Sequence, residues 1–430
     1  MTAAPHKTPE ARIDLPDFYT GDCHRTFARL RATDPVHWQP EIGMWVVTRH
    51  AHVKEVTADP ATYSNNYGVT VGAQAIAGEL LRAEPRAGEA GRAWRTAELR
   101  QQVGRRSSAE ADIDNLQSLD PPAHARIRRI FAQSFTPRTL RSLEDRVREL
   151  TRQVLTEIRP GERGDLVDLL AAPVPIYVIS ELLGVAKEDR DDFRRWSDAV
   201  ISNVEPKDEQ GRRRDAEQLS EMFGYFREQV ALRRSQPRDD LLTLMVAASV
   251  DGSPLADPVV ETLAKLIMSA GNETTRSAIS ATALALAEHP DQRQRLVDDP
   301  GLIGEAVDEF LRWVTPVRAF CRTAVRDVTL GGKRIARGDY LALSFVSANR
   351  DEAAWDLPDV FDVTRKVAPG HVTFGHGPHI CLGQSLARLE LKVVFEELLA
   401  RFPRYALAGD VTGTPSTMVD AISAMPVVFQ

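Results

Sequence analysis

The densest chemistry in this chain lies in Phe374-Gly375-His376-Gly377-Pro378-His379-Ile380-Cys381-Leu382-Gly383. Glycines and a proline make a loop, and the apolar periodicity of roughly Gln384 to Phe402 makes an amphipathic helix after it. Cys381 therefore sits at or near a helix N-terminus, where free N–H groups and the positive end of the dipole favour a thiolate. Four chemistries suit such a cysteine. A thiolate beneath a haem donates electron density that favours O–O cleavage. A buried structural cysteine is common but does not explain the glycines. A zinc site could use His376, His379 and Cys381, yet a closed structural site needs a fourth ligand. A nucleophilic cysteine needs a general base. The loop alone ranks haem iron first and leaves the others open.

A second group lies in a helix expected over Pro258–Glu288, which would span roughly 45 Å at the usual rise per residue. Its apolar residues, among them Leu263, Ile267, Met268, Ile279 and Leu284, fall on most faces, so the helix should be buried. Its middle, Ala270-Gly271-Asn272-Glu273-Thr274-Thr275, is poor in helix formers. One reading is a kink with a threonine bonded back to the preceding turn. The other is a small bulge that makes room for a ligand, where Glu273 and Thr274 supply protons and hydrogen bonds.

Two further sets are charged. His124, Ile127, Arg128, Phe131 and Phe135 share a helical face, so the two bases need a buried anion or a solvent edge. Glu305, Asp308, Glu309 and Arg312 form one polar stripe, which by periodicity is a solvated face. An isolated Arg322 in the strand-like run Ala319–Ala324 would read as a surface residue.

The elements around these residues belong to an ordinary globular chain. It has 430 residues, 43% hydrophobic and 27% charged, and a single mainly helical domain over 1–430 is the economical reading. The net charge of −7 speaks against a general nucleic-acid binder. Three distant cysteines, Cys23, Cys321 and Cys381, do not make a disulfide framework and fit a reducing compartment. No apolar run near the N-terminus suits a signal peptide or membrane anchor, so a cytoplasmic protein without a membrane partner is expected. Asp-Pro pairs at Pro121, Pro258 and Pro300 look like N-caps followed by first-turn prolines. Trp45–Thr48 reads as a strand, residues 325–346 as strands around Gly331-Gly332, and Asn203–Gly211 as a charged break. Ala77–Asp114 is rich in Ala, Arg, Glu and Gly, so 70–118 is expected to be a mobile insertion or a lid over a pocket.

Phe374-x-x-Gly377-x-His379-x-Cys381-x-Gly383 resembles the haem-binding signature of the cytochrome P450 family, and the likeness runs from about Pro16 to the C-terminus. It implies that family's fold: a mainly α helical prism with small β-sheets, and haem b between the central helix and the cysteine loop. It implies Cys381 as iron ligand, Phe374 as shield of the sulfur, and Gly375, Gly383, Ala270 and Gly271 close to the haem. Propionates would be held by His124, Arg128, Arg322 and His379. Thr274 would bond the oxygen being reduced, and Glu273 would feed it protons through water. Glu309, Arg312 and Arg365 would form a buried structural network. Pocket walls would come from 64–118, Val200, Ile201, Met268, Val317, Arg318 and the turn near Ala421. Strand alternation would turn Arg318 to the haem side with Arg322, toward a propionate, Glu273 through water, or a polar substrate group.

The implied reaction is insertion of one oxygen atom from O₂ into a C–H bond of a small organic substrate. Electrons would come from NAD(P)H through a separate reductase and a ferredoxin, because this chain has no nucleotide fingerprint. A monomer is expected. The segments Ala270–Thr275, Thr315–Ala324 and Phe374–Glu390 look most like soluble bacterial members acting on terpenoid alcohols and steroid side chains. Oxidative C–C or C–O coupling on the same scaffold is the alternative reaction. A non-catalytic haem sensor is a distant one, since a sensor has no need of Glu273 and Thr274.

Overall fold

One helix, Asp257–Glu288, organises the molecule. Pro258 lies in its first turn, where no N–H is needed. Asp257 is not its N-cap but lies inside the first turn, receiving Arg234 Nε at 2.8 Å. The helix stops at His289, before Pro290 opens the next. Helices Pro173–Leu183, Glu209–Ser235, Ile303–Val314 and Gln384–Arg401 pack around it. Leu263, Ile279, Ala283 and Leu286 sit in the core cluster these helices share. Full burial of each such Leu or Ile contributes roughly 1.5–3 kcal/mol.

The helix is continuous through Ala270–Thr275, so of the two readings the bulge is absent. Thr274 Oγ1 donates back to Ala270 O at 2.8 Å, which satisfies the hydroxyl within the helix. Gly271 serves close packing: a Cβ there would lie 2.5 Å from Ile179 Cδ1 on the neighbouring helix.

This computed structural model describes residues 11–71, 116–132, 137–202, 208–250, 252–366 and 370–430. Most of the expected lid, 72–115, therefore lies outside the described residues. The largest sheet runs in the order Val36–Gln39, Met44–Val47, Tyr340–Ser344, Ala319–Ala324, Tyr63–Ser64. Ala319 and Cys321 pack into one small core and Phe320 against another, as alternation requires. A smaller hairpin, Val328–Leu330 with Lys333–Ile335, turns at Gly331-Gly332 as expected. Among the described residues no helix is long and apolar enough to cross a membrane.

Two further readings from local pattern fail, the second where the family resemblance implied the buried network that is present. Pro121 does not start a helix: the helix begins at Ala123, and Asp120 accepts hydrogen bonds from Ser64 Oγ and Asn65 N instead of capping. The polar stripe on Ile303–Val314 is not solvated where periodicity put it. Glu309 and Arg312 are both fully buried and form a bidentate pair at 2.6 and 2.8 Å. Arg365 Nε stands 3.1 Å from the same carboxylate. Arg312 Nη1 also donates to Asn349 O and Pro358 O, each at 2.9 Å. Asn349 carries the network to the cysteine loop, accepting Val372 N–H at 2.8 Å and donating to Thr373 Oγ1 at 2.9 Å. The ion pair thus anchors the base of the loop.

Candidate active site

The loop is built from the backbone outward. Gly375 N donates to Val372 O, and Cys381 N donates to Phe374 O, both at 2.8 Å. Gly377 has φ +73°, and a Cβ on it would lie 2.2 Å from the Thr57 carbonyl oxygen, so only glycine fits. Helix Gln384–Arg401 begins three residues after Cys381, with Gly383 at its N-cap position. Cys381 is solvent-accessible, whereas Cys23 and Cys321 are buried. Burial around the sulfur pushes its thiol up. Opposing this are backbone N–H bonds from Gly383 and Gln384 and the charges of Arg128 and Arg388. Those donors and cations are what a thiolate ligand requires.

Beside the sulfur, four basic side chains converge from three elements. His124 and Arg128 come from helix Ala123–Ala132, Arg322 from strand Ala319–Ala324, and His379 from the loop. The His124 and His379 rings are 3.9 Å apart. His379 is pushed down to about 3, by burial first and then by His124, Arg322 and Arg128. Burial also holds Arg322 down to about 10, its Nη1 donating to Cys321 O at 2.7 Å. The acid that acts on this group is Asp120, already engaged by Ser64 and Asn65. Among the described residues His379 Nε2 is buried without a hydrogen-bond partner. Clustered bases of this kind, buried or half-buried, suit a ligand that brings carboxylates. A haem b, with two propionates on one edge and an iron that takes one thiolate, fits this donor set.

Ala270 is exposed in the middle of the otherwise buried central helix, and Thr274, one turn on, is partly exposed on the same face. Glu273 is buried with its carboxylate 3.7 Å from Arg276 Nη1. Asn272 donates to Ser197 Oγ at 2.8 Å, tying helix Arg190–Ser202 to this turn.

The expected pocket residues divide. Val200 is half-buried against the main core, Val317 bridges Val419, and Ala421 begins a strand packed on the central helix. The side chain of Ile201 lies outside the described residues. Met268 is fully buried in the core rather than on an open face. Arg318 does not turn to the haem side with Arg322 as expected. It precedes strand Ala319–Ala324, so strand alternation does not govern it. Its guanidinium pairs with Asp420 at 2.8 Å, donates to Ser416 O and stacks 4.4 Å over Tyr19. It therefore ties the N-terminal helix to the C-terminal turn, with its charge compensated there. Sequence reasoning missed Arg388 and Asp308, which meet at 2.8 Å beside Phe374. The position of Arg388, seven residues after Cys381, was the available signal.

A fold of helices around one long helix, with an accessible thiol and a basic cradle at its side, defines a haem-thiolate protein. The family model "Cytochrome P450" matches residues 302–411. Linalool 8-monooxygenase of Pseudomonas putida is 34% identical, the alignment covering 97% of this chain and 99% of that protein. Vitamin D(3) 25-hydroxylase of Pseudonocardia autotrophica is 36% identical over 94% of this chain and 93% of that one. The structure of CYP108D1 from Novosphingobium aromaticivorans is similar with a TM-score of 0.80 and 30% identity, covering 99% of this chain and 98% of that one. The chain belongs to the cytochrome P450 family. It is a monooxygenase of the mainly α fold expected for that family, and its cofactor is haem b with an axial cysteine thiolate.

Proposed function

We propose that Cys381 is the iron ligand and that the protein inserts one oxygen atom from O₂ into a C–H bond of a small hydrophobic or amphipathic substrate. One observation carries this reading. The accessible thiol accepts two backbone N–H bonds at a helix start, beside four converging bases, His124 and Arg322 buried and Arg128 and His379 half-buried. Haem bound there supplies oxygen activation, and the thiolate favours O–O cleavage. Arg128, Arg322, His124 and His379 hold the propionates. Replacing Arg322 with leucine removes a charge-assisted hydrogen bond of about 1.5–3 kcal/mol. Haem should then transfer to excess apomyoglobin roughly ten- to a hundredfold faster. An unchanged transfer rate would remove Arg322 from the cradle.

Glu273 delivers protons at the open face of the central helix, and Thr274 holds by hydrogen bonding the species that receives them. The Thr274 hydroxyl donates to Ala270 O, which leaves its lone pairs available as acceptors toward that face. Glu273 would have to turn away from Arg276, 3.7 Å from its carboxylate, to reach the same face. Thr274→Ala should keep haem and substrate binding, but product per NAD(P)H should fall several-fold as electrons divert to peroxide. Unchanged coupling would leave Thr274 only its structural bond to Ala270.

The substrate is proposed to be terpenoid- or steroid-like, of secondary metabolism or catabolism. The names of the linalool and vitamin D₃ relatives support this. A cytoplasmic monomer of one domain is proposed, with 70–118 as the access segment. Electrons arrive from NAD(P)H through a reductase and an acidic ferredoxin, docking near the exposed Arg126 and Arg129. Reduction by that ferredoxin should slow as salt rises. A salt-independent rate would exclude this docking mode.

A further inference from the structure

On the outer side of the cysteine loop, an ion pair rests on the ring next to the sulfur. The guanidinium carbon of Arg388 stands 4.6 Å from the centroid of Phe374. Arg388 Nε donates to Asp308 Oδ1 at 2.8 Å, and Nη1 donates to Gln384 Oε1 at 3.1 Å. The same Asp308 oxygen receives His371 Nε2 at 3.1 Å. The Thr373 N–H donates to His371 Nδ1 at 3.3 Å, which matches the neutral tautomer with its proton on Nε2. His371 also lies 5.6 Å from the Phe374 ring, centroid to centroid. Phe374 itself receives the Cys381 N–H through its carbonyl. One cation and one neutral imidazole thus flank the aromatic ring of the loop, and one anion joins the two. Arg388 also acts on the Cys381 sulfur, favouring its anionic form, while burial, the Gly383 N–H and Arg128 act more strongly.

An iron–thiolate centre that accepts an electron becomes more negative. A nearby cation favours that step and a nearby anion opposes it, more strongly where water is excluded. Arg388 and Asp308 are each a little over one-third exposed, so solvent weakens both effects without removing them. The two charges are not equivalent, because Arg388 stacks on Phe374 directly while Asp308 is tied to that ring through Arg388 Nε and His371.

We propose that the Arg388–Asp308 pair, seated on Phe374, sets how readily the iron at Cys381 accepts an electron: Arg388 eases reduction, and Asp308 restrains that effect. This rests on Cys381 being the ligand. Arg388 would be a positioning and tuning residue, acting through Phe374 and the sulfur.

The test is the midpoint potential of the holoprotein, read by spectroelectrochemistry at low salt, in wild type, Arg388→Gln, Arg388→Lys and Asp308→Asn. Arg388→Gln should be harder to reduce, by up to tenfold in the equilibrium, or about 59 mV for one electron. Asp308→Asn should shift the other way, and Arg388→Lys should stay near wild type. Shifts of the same sign in Arg388→Gln and Asp308→Asn would show loosened packing and overturn the proposal. So would a shift below twofold in Arg388→Gln, or Arg388→Lys behaving like Arg388→Gln. The reduced CO spectrum of each variant is recorded alongside. A wild type without a thiolate-type band would instead overturn the ligation, so the two failures are distinguishable.

Discussion

Arg312→Leu should destabilise the protein by about 3–5 kcal/mol, the usual effect of breaking a buried ion pair by removing one partner. Glu309 would keep Arg365 at 3.1 Å but lose its bidentate partner in a fully buried site. The carbonyls of Asn349 and Pro358 would lose their donor as well. Against a typical stability of about 5–15 kcal/mol, that is a large fraction. Replacing Glu309 and Arg312 together with methionine removes both charges and should cost less than Arg312→Leu alone. Urea denaturation followed by far-UV circular dichroism measures both. Arg312→Leu should also lower haem content, because the network runs through Asn349 to Val372 and Thr373 beneath the loop. A loss under about 1 kcal/mol would place the pair among screened surface bridges, which are worth little.

That network shows what a sequence can and cannot disclose. The cysteine loop was legible because glycine, proline and cysteine carry local geometry: Gly377 has positive φ and meets the Thr57 backbone wherever the rest of the chain goes. The central helix was legible because Pro258 and His289-Pro290 mark its ends and its apolar residues run all round. Glu309 and Arg312 were not, since periodicity assigns a polar stripe to solvent. What buries them is the long stretch Asn349–Arg365, folded over them from outside their helix. Only the family resemblance anticipated it. Arg318 failed for a related reason. Two-residue alternation holds inside a strand, but the strand begins at Ala319, and Asp420 lies far along the chain. The Ala270–Thr275 segment sits between these cases. Its composition marked a special place, yet the helix accommodates it without a bulge, Thr274 bonding to Ala270 and Gly271 meeting Ile179.

Cys381→Ala has the largest expected effect. The other two thiols cannot substitute: Cys23 and Cys321 lie in the small core behind the sheet, and burial pushes them up to about 11 and about 12. The decisive measurement is the absorption spectrum of the reduced protein with CO. Wild type and Cys23→Ala should both show the red-shifted Soret band of thiolate-bound haem, and Cys381→Ala should lack it. A red-shifted band that survives in Cys381→Ala would contradict the assignment of the iron ligand, and with it the site built around this loop.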